Sequence, residues 1–428
     1  MRYIIATLGC KVNQYETQGM ERLLQSHGHR AALPGEQADA VIVNTCAVTA
    51  ESGRKSRQTI RRLHEEHPDA VLAVCGCYAQ LEPDEAAEIG AAVIFGAADR
   101  AKTVEAVEKA VAEGAQRRDI DKPFERRVFE ALPAGAVDGR TRAMLKVQDG
   151  CVNFCSYCII PYTRGRLRSL PLDEARAETA RLAAEGYREL VLTGIEIASY
   201  GVDLPGRPGL ADLIETVAEA AGEMRLRLGS LEPTVITEDF CRRSAATGKV
   251  CRHFHLSLQS GCDKTLKAMN RKYDCARFLE AAELLRRDFP GCALTADLIV
   301  GFPGETENEH AETLAFLRRV GFADVHVFPY SRRPGTPADT MPGQCSRAVK
   351  TRRAQEAQQT VKELRRAFLQ ESVGLTLPVL FETEENGFWR GHSDTYALVC
   401  AQGDHLRGQL RQLRVEGLEG DLLKGSLV

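Results

Sequence analysis

Long hydrophobic runs are absent from this sequence of 428 residues. No stretch reaches the roughly 18 consecutive apolar residues of a membrane-spanning helix, so no membrane span is predicted. The first residues, MRYIIATLGCKVNQ, contain only a short apolar run and no cleavage-site pattern, which argues against an export signal. These absences predict a cytoplasmic protein with no membrane partner.

A strong net charge is also absent. The 56 Lys and Arg residues nearly balance the 59 Asp and Glu residues, and the formal charge at pH 7 is -3. The whole molecule therefore offers no general electrostatic attraction for nucleic acid, and any basic surface must be local. The hydrophobic fraction of 44% is ordinary for a folded protein, and the length predicts two or three domains.

Cysteine, in contrast, is abundant, with 14 residues. Disulfide frameworks belong to short secreted chains, so ligation of a metal or cluster is the better interpretation for some of these cysteines. Three of them form the stretch Cys151-Val-Asn-Phe-Cys155-Ser-Tyr-Cys158, with the spacing C-x3-C-x2-C and Tyr157 before the last cysteine. Three thiolates this close can hold one face of a cubane cluster while leaving one iron without a protein ligand.

An iron with an open position suits a small chelating molecule. Reductive cleavage of S-adenosylmethionine (SAM) needs such an iron, because the amine and carboxylate of its methionine part chelate the metal before an electron enters the sulfonium. The stretch resembles the signature of the radical SAM enzymes. The alternative is a zinc knuckle that borrows a fourth ligand, although no histidine lies close by in sequence.

Residues 1–113 alternate short apolar runs with helical patterns. They predict a doubly wound parallel α/β domain, with strands at residues 2–6, 40–43, 70–74 and 92–95. Cys10 follows the first strand, Cys46 follows the second, and the pair Cys75 and Cys77 follows the third. Because ligands of open α/β sheets gather outside the carboxyl ends of the strands, we expect a second three-thiolate cluster site at this edge.

Two alternatives remain open for these cysteines. Small buried cysteines are also common at tight strand-to-helix turns, where they only fill space. In the third pair, Cys75 can end the strand while Cys77 provides the ligand, or Cys75 can take the place of Cys77.

Residues 114–141 become polar and basic and are interrupted by prolines and glycines, which predicts a linker. The basic residues are Arg117, Arg118, Lys122, Arg126, Arg127 and Arg140. A solvated linker is the default interpretation, and a contact with nucleic acid is the alternative.

From residue 142 a strand-helix rhythm returns and predicts a partial (β/α)6 TIM-type barrel, followed by a basic helical segment that ends near residue 371. The predicted strands cover residues 144–148, 189–193, 225–228, 253–258, 293–300 and 324–329. Chemistry in such barrels takes place at the carboxyl ends of the strands. The polar or glycine residues there are Gly194, Glu196, Ser230, Glu232, Gln259, Ser260, residues 301–305 (GFPGE), Tyr330, Arg332 and Arg333.

Gly194, Glu232, Gln259 and Arg271 are the candidates for binding a cofactor. A guanidinium fork fits a carboxylate at two points, so Arg271 is a candidate partner of the methionine carboxylate. The alternatives are turn-forming roles for the loop residues and an ordinary exposed position for Arg271.

Residues 372–428 predict five short antiparallel strands, which suggest a small barrel of OB-like character. The strands lie around residues 377–382, 388–391, 396–399, 410–415 and 422–428. Such barrels bind single-stranded nucleic acid with basic and aromatic side chains. The candidates are Phe388, Trp389, Arg390, Tyr396, Arg407, Arg411 and Arg414, although Trp389, the only tryptophan, suits a core position equally well.

Over essentially its whole length, the sequence resembles the methylthiotransferase family of radical SAM enzymes. A three-cysteine domain, a C-x3-C-x2-C barrel and a terminal TRAM domain follow one another in that family. The motifs YCIIPYTRGRLRS, LTGIEIASYG, LSLQSGC and GFPGET also resemble family motifs. The motif TLGCKVNQYET resembles the branch that acts on threonylcarbamoyladenosine in tRNA.

The resemblance implies a set of cofactors and a reaction. The implied ligands of an auxiliary 4Fe-4S cluster are Cys10, Cys46 and Cys77, and those of the SAM-cleaving 4Fe-4S cluster are Cys151, Cys155 and Cys158. The implied reaction uses two SAM molecules and replaces the C2 hydrogen of the modified adenosine at position 37, in the anticodon loop of tRNA, with a methylthio group. An electron donor such as flavodoxin or ferredoxin and a source of sulfide are the further implied partners.

Radical chemistry suits this target because C2 of adenine has neither an acidic hydrogen nor a leaving group. Within the family, the alternative substrates are isopentenyladenosine in tRNA and an aspartate of a ribosomal protein. Outside the family, the alternative is a zinc-stabilised RNA-binding protein without catalysis.

Overall fold

The computed structural model describes residues 1–133, 135 and 141–428. The chain forms two compact units. The first comprises Met1–Asp138, Met144–Leu170 and Ser331–Asp339, and the second comprises Gly139–Ala143, Pro171–Tyr330 and Thr340–Val428. Arg140, named above in the predicted linker, lies outside the described residues. In the described ranges, no helix combines the length and apolar character that a membrane crossing requires.

A six-stranded parallel sheet forms the centre of the first unit. Its strands are β1 (Arg2–Thr7), β2 (Arg30–Ala31), β3 (Ala40–Thr45), β4 (Val71–Gly76), β5 (Val93–Phe95) and β6 (Arg117–Asp119). The helices between and after them are α1 (Lys11–Ser26), α2 (Ala50–Glu66), α3 (Cys77–Leu81), α4 (Pro83–Glu88) and α5 (Arg100–Glu113). The spatial order is β2-β1-β3-β4-β5-β6, and every neighbouring pair is parallel.

Helices cover both faces of this sheet, as a doubly wound fold requires. Along β3, Val41 packs in a hydrophobic cluster with Ile60 of α2. The next residue, Ile42, packs in a separate cluster with Met20 of α1 and Val107 of α5. Since successive side chains of a strand point to opposite faces, α2 covers one face and α1 and α5 cover the other.

A topological switch point lies between β1 and β3. The chain passes from β1 to β2 on one side, but β3 pairs with β1 on the other side. The connections therefore diverge and leave a crevice at the carboxyl ends of β1 and β3, which is where open α/β sheets bind ligands. Cys10 and Cys46 follow these two strands, and Cys77 follows the adjacent β4.

The sequence pattern does not predict β2 or β6. Both are short edge strands of mostly exposed residues, so neither carries the hydrophobic alternation that marks a strand. β6 lies inside residues 114–141 and pairs with β5. Part of the predicted linker therefore completes the sheet.

The C-x3-C-x2-C stretch belongs to the first unit. It follows β7 (Arg142–Asp149) and precedes α6 (Ile160–Arg164) and β8 (Arg168–Ser169). β8 returns antiparallel to the end of β7, with Ser169 opposite Gln148. The cysteine loop is thus held at the carboxyl end of a strand.

Parallel strands alternate with helices in the second unit. The strands are β9 (Glu189–Gly194), β10 (Arg225–Leu228), β11 (Ser230–Leu231), β12 (His253–Gln259), β13 (Ala293–Val300) and β14 (Asp324–Pro329). The helices are α7 (Leu172–Ala184), α8 (Leu210–Ala220), α9 (Glu238–Ala246), α10 (Asp263–Ala268), α11 (Cys275–Asp288) and α12 (Glu307–Val320). β9 pairs with β10, and β11-β12-β13-β14 form one parallel sheet. Apart from the short β11, these strands match the sequence prediction closely.

A long helix and a closed barrel complete the second unit. Helix α13 (Arg347–Glu371) precedes β15 (Thr376–Glu385), β16 (Phe388–Ser393), β17 (Leu398–Ala401), β18 (Leu410–Glu419) and β19 (Leu422–Leu427). The barrel closes in the order β15-β16-β17-β19-β18. Its neighbouring strands are antiparallel except β17 and β19, which are parallel, so the prediction of five antiparallel strands is wrong at this pairing. Trp389 lies in its core with Phe381 and Val399, so Trp389 has the core position that was one of its two predicted roles.

Candidate functional site

The first predicted cysteine trio lies at the carboxyl edge of the N-terminal sheet. Cys10 directly precedes α1, Cys46 directly follows β3, and Cys77 opens α3. The backbone of Gly9 packs against Cys46, since a Cβ on Gly9 would lie 2.9 Å from Cys46 Sγ. Cys10 is exposed, whereas Cys46 and Cys77 are buried. Burial raises the pKa of Cys46, and the charge of a Cys77 thiolate adds to this effect. The Cys46 and Cys77 thiols are therefore close enough to interact electrostatically.

Cys75 lies on the opposite face of the strand from this trio. It is fully buried in the hydrophobic cluster that contains Val93 and Val104. Cys77 instead belongs to the cluster on the α2 face. Cys75 could replace Cys77 as a ligand only if the end of β4 turned over, so the geometry supports Cys77.

Gly76 determines where Cys77 lies. Its φ of +100° falls in the region that favours glycine. A Cβ at this position would lie 2.5 Å from the carbonyl oxygen of Thr45 and 2.7 Å from Asn44 Oδ1. Only glycine allows the start of α3 to approach the end of β3 this closely.

The second predicted trio lies in the loop after β7. Cys155 is buried, whereas Cys151 and Cys158 are half-buried. The N–H of Cys151 donates to the carbonyl oxygen of Gly165 at 3.0 Å, and the N–H of Cys158 donates to that of Cys155 at 2.9 Å. Phe154 has a φ of +47°, which is uncommon for a residue other than glycine, and it bends the chain between the first two cysteines.

A buried arginine connects the helix after this loop to α1. Arg164, at the end of α6, donates to Glu16 of α1 and, at 2.8 Å, to Asn13 Oδ1. The Arg164 and Glu16 side chains are 0% and 1% exposed. Sequence reasoning does not find these three residues as a group, because they are distant in the chain and no metal-ligand spacing relates them.

Asn13 links Arg164 to the backbone around the auxiliary trio, which consists of Cys10, Cys46 and Cys77. Its Nδ2 donates to the carbonyl oxygens of Leu8 at 2.7 Å and Thr45 at 3.0 Å. These residues lie just before Cys10 and Cys46 in the chain. Arg164 and Asn13 therefore fix the turns of one trio relative to the loop of the other.

The surrounding positive charges keep the buried carboxyl groups of Glu16 and Asp149 ionised. Burial by itself raises the pKa of Glu16, but the charges of Arg164, Arg100 and Lys146 lower it to about 2. Burial likewise disfavours ionised Asp149, yet Lys146 and Arg164 lower its pKa well below the ordinary value. The result is a dense set of paired charges with almost no exposure to solvent.

Residues 331–339 also approach the cysteines. Ser331 Oγ accepts the N–H of Ala50 at 3.1 Å, at the start of α2. The N–H of Ala338 donates to the carbonyl oxygen of Ser156 at 2.8 Å, inside the signature loop. Between these contacts, burial lowers the pKa of Arg333, whereas the charge of a Cys46 thiolate raises it. Arg333 Nη1 would lie 3.7 Å from a Cβ on Gly53, so Arg333 approaches α2, the helix that follows Cys46 in the chain.

In the second unit, two of the predicted cofactor-binding residues form a pair. Arg271 Nη2 donates to Glu232 Oε1 at 2.5 Å, and these side chains are only 5% and 7% exposed. Arg271 Nε also donates to the hydroxyl of Tyr273 at 3.1 Å, with the guanidinium 4.9 Å from the centre of that ring. The exposed position considered for Arg271 is therefore wrong. A contact with the methionine carboxylate stays a prediction.

Glu196 adds a second carboxyl to this pair. Burial and the charge of Glu232, opposed by Arg271, together raise its pKa to about 8. Its Oε1 accepts the N–H of Ala198 at 3.1 Å. The carboxyl follows Gly194, the last residue of β9, so it lies at the carboxyl end of a strand. A carboxyl that stays protonated near neutral pH is typical of a functional site.

Gln259 occupies a strained backbone position. It ends β12 with a φ of +64°, next to a register shift against β13. The hydroxyl of Tyr273 donates to the carbonyl oxygen of Leu258 at 2.8 Å and holds this strand end. Such strain at the carboxyl end of a strand is characteristic of functional sites.

The GFPGE loop is closed by its own glutamate. Glu305 accepts the N–H of Gly301 at 2.6 Å and Arg353 Nη1 of α13 at 2.7 Å. The Arg353 and Glu305 side chains are 3% and 1% exposed. These contacts support a turn-forming role for Glu305, which was the alternative to a role in binding a cofactor.

An aromatic patch beside the signature loop is absent from the sequence predictions. Phe124, Phe154 and Tyr162 are 37%, 38% and 39% exposed. Phe124 and Phe154 stack with ring centres 6.0 Å apart, and Tyr162 meets Phe154 edge-on at 5.8 Å. These residues come from three separate segments, so no sequence motif signals the patch.

The C-terminal barrel uses some of its predicted RNA-binding residues internally. Tyr396 stacks with His253 of β12 at 5.0 Å and with His392 at 4.6 Å. Arg390 pairs with Glu385 at 2.7 Å. The predicted residues that are exposed are Phe388, Tyr396, Arg407, Arg411 and Arg414, and Tyr396 is 38% exposed despite its ring contacts.

Neither cysteine trio has the spacing of a site for a single ion. Among the described residues, the one group of three with ligand atoms within 4.8 Å of one another is His255, Asp297 and His326. A cubane holds its thiolates farther apart than one ion does, because each thiolate binds a different iron. In the described residues, therefore, neither trio forms the compact ligand set of a zinc knuckle.

The fold and the signature loop define a class of protein. Residues 145–317 match the radical SAM superfamily, and residues 2–96 match the family described as uncharacterized protein family UPF0004. Among solved structures, the chain resembles the radical SAM methyltransferase TsrM from Kitasatospora setae, with a TM-score of 0.59, 16% identity, and coverage of 79% of this chain and 75% of TsrM. It also resembles the cobalamin-dependent SAM radical enzyme OxsB, with a TM-score of 0.54 and 12% identity over 86% of this chain and 56% of OxsB. The fold is that of a radical SAM enzyme.

Relatives identify the family within this class. The threonylcarbamoyladenosine tRNA methylthiotransferase MtaB of Bacillus subtilis (strain 168) is 38% identical over 96% of this chain and 92% of its own length. The MtaB of Thermotoga maritima is 34% identical over 97% and 94%. The tRNA-2-methylthio-N(6)-dimethylallyladenosine synthase of Maricaulis maris is 34% identical over 100% and 97%. The chain belongs to the methylthiotransferase family of radical SAM enzymes, whose cofactors are 4Fe-4S clusters and SAM.

Proposed function

We propose that this protein replaces the C2 hydrogen of N6-threonylcarbamoyladenosine, at position 37 of tRNA, with a methylthio group. The observation that carries the proposal is the presence of two cysteine trios in one compact unit, joined through Arg164 and Asn13. The two relatives named for threonylcarbamoyladenosine support this choice of nucleoside.

Each trio would hold one 4Fe-4S cluster. The auxiliary ligands are Cys10, Cys46 and Cys77, and the ligands of the SAM-cleaving cluster are Cys151, Cys155 and Cys158. Thiol donors at these places fit iron-sulfur ligation, and three ligands leave one iron open. When bound, the clusters and SAM supply a radical and a sulfur atom for a carbon that acid-base chemistry cannot activate.

The protein's own contribution in the second unit is to bind and orient SAM. Gly194, Gln259 and the pair of Glu232 and Arg271 would line this site at the strand ends. Glu232 and Tyr273 hold the guanidinium in place before a ligand arrives, which lowers the entropy lost on binding. Because Glu196 stays protonated near neutral pH, a carboxylate ligand meets less negative charge.

We also propose four functional regions. Residues 1–113 form the methylthiotransferase domain, 114–141 the linker, 142–371 a partial (β/α)6 TIM-type barrel with its trailing helix, and 372–428 a TRAM domain that binds RNA. The parallel strands of the second unit and the closed five-stranded barrel support the last two assignments.

The RNA partner would be the anticodon loop of tRNA. Exposed side chains of the C-terminal barrel provide aromatic and basic contacts suited to single strands, and these are Phe388, Tyr396, Arg407, Arg411 and Arg414. The patch of Phe124, Phe154 and Tyr162 offers aromatic faces beside the signature loop, where bases next to a flipped adenine can stack.

Two further partners follow from the chemistry. Reduction of the SAM-cleaving cluster requires an electron donor such as flavodoxin or ferredoxin, and renewal of the transferred sulfur requires a source of sulfide. A tRNA substrate assigns the activity to the cytoplasm.

Analysis of tRNA nucleosides by mass spectrometry tests the proposal. A strain that lacks the gene should lose methylthio-threonylcarbamoyladenosine and accumulate the unmodified precursor, and the wild-type gene should restore the product. Relatives that act on dimethylallyladenosine make the isopentenyladenosine product the second candidate. Its selective loss would contradict our choice of nucleoside, and unchanged methylthio-nucleosides of both kinds would contradict a tRNA substrate.

A further inference from the structure

Two histidines and an aspartate come together on three adjacent strands of the second unit. His255 lies on β12, Asp297 on β13 and His326 on β14. In the parallel register, His255 is opposite Thr295 and Asp297 is opposite His326. Side chains on one face of neighbouring strands are close, and the three ligand atoms all lie within 4.8 Å of one another.

The distances within this group suit one metal ion. His255 Nε2 lies 3.3 Å from Asp297 Oδ2, and His326 Nδ1 lies 3.2 Å from Asp297 Oδ1. Ligand atoms about 2.0–2.1 Å from a tetrahedral zinc ion are separated by about 3.3 Å. The side chains thus already have the spacing of neighbouring ligands, and an ion needs only small rotations of the side chains to bind.

The surroundings of His255 orient its metal-binding nitrogen. Thr295 Oγ lies 3.0 Å from His255 Nδ1 and can accept its proton when an ion replaces the proton that Nε2 shares with Asp297. Such a hydrogen bond on the far ring nitrogen is typical of metal-binding histidines. Burial disfavours ionised Asp297, but hydrogen bonds from His255 and His326 lower its pKa well below the ordinary value. The carboxylate is therefore in the charge state that a ligand requires.

We propose that His255, Asp297 and His326 form a binding site for a divalent transition-metal ion such as Zn²⁺, separate from the cysteine sites. Two imidazoles and one carboxylate are a ligand set for such an ion, and three protein ligands leave a coordination position for water or a carboxylate. The His326 side chain is 61% exposed, so an ion can reach the group.

Equilibrium dialysis of the cluster-loaded protein against Zn²⁺ tests this site. Loading the clusters first occupies the six proposed cluster ligands and removes their competition for zinc. We expect about one zinc ion per chain to be retained in addition to the iron, and His326→Gln or Asp297→Asn to abolish this retention. Thr295→Val should weaken it about 10–100-fold by removing the orienting hydrogen bond.

The chain contains a matched control. His27 and His29 both contact Glu108, at 2.7 and 3.0 Å, but this group does not meet the ligand spacing found for His255, Asp297 and His326. His27→Gln should leave zinc retention unchanged. Because His326 is exposed, its substitution should preserve folding, which the iron content and circular dichroism of the variant can verify. No retained zinc in the wild-type protein, or equal retention by His326→Gln, would overturn the proposal.

Discussion

Each of the two units contains a group of paired buried charges. Arg164 joins the signature loop to Asn13 and Glu16, and Arg271 holds Glu232 in the second unit. A buried charge without its partner is costly, so substitutions at these positions should have much larger effects than substitutions of exposed ion pairs.

Substitution of Glu196 should change how stability depends on pH. The pKa of Glu196 rises from 4.5 to about 8 on folding, so between these values the folded protein keeps a proton that the unfolded chain releases. Stability from this group is full below about pH 4.5 and is lost as the pH rises through about 8. Glu196→Gln does not titrate and so does not lose this stability. The free energy of unfolding of the variant, relative to that of the wild type, should therefore increase by about 1–2 kcal/mol from pH 6 to pH 8.

Denaturant unfolding at the two pH values, without added SAM, measures this difference. The glutamine amide oxygen can still accept the N–H of Ala198, so the local turn is preserved. A stability difference that does not vary with pH would show that Glu196 is ionised in the folded protein.

Substitution of Arg164 should destabilise the protein strongly. Arg164→Met leaves Glu16 and Asp149 with fewer positive partners in a fully buried position, and we expect a loss of about 3–5 kcal/mol. Arg188→Met is the control, because Arg188 pairs with Glu223 at the surface and should cost less than about 1 kcal/mol. Chemical unfolding of the three proteins compares them. Equal effects of the two variants would contradict the role of the buried cluster.

At the scale of strands and turns, the close approach of β3 and α3 positions Cys77. Gly76→Ala should impose strain of about 1–3 kcal/mol, because its Cβ meets the Thr45 carbonyl oxygen and its φ is positive. We expect iron to fall from about eight toward about four per chain after anaerobic reconstitution, through loss of the auxiliary cluster.

Gly186→Ala provides the matched control for this turn. Gly186 also has a positive φ, of +89°, but no atom lies within 4 Å of a Cβ placed there. This variant should keep the full iron content. Retention of all the iron by Gly76→Ala would show that the turn does not determine ligation.

Hydrophobic patterns predict most elements of this fold from sequence. Buried strands such as β3 and β13 are marked by apolar runs, whereas the exposed edge strands β2 and β6 have no such mark. The cysteines are also visible in sequence because their spacing or their place after a strand is distinctive. The connection from Arg164 to Asn13 is not visible, because only the tertiary fold brings residues 151 positions apart into contact.

For the whole molecule, the proposed function divides the chemistry into two separable tasks, one for each cysteine trio. One trio would support SAM cleavage and the other would support sulfur insertion. Both lie in the first unit, while the predicted SAM-binding residues Gly194, Glu232, Gln259 and Arg271 lie in the second. Removing one trio should therefore abolish one task and preserve the other.

The most direct test is the triple variant Cys10→Ala, Cys46→Ala, Cys77→Ala, assayed with reductant, SAM and tRNA. We expect about four iron ions per chain instead of about eight, continued formation of 5′-deoxyadenosine, and no methylthio-nucleoside. Methylthiolation by this variant at the wild-type level would contradict the assignment of these cysteines and with it the proposed division of the chemistry.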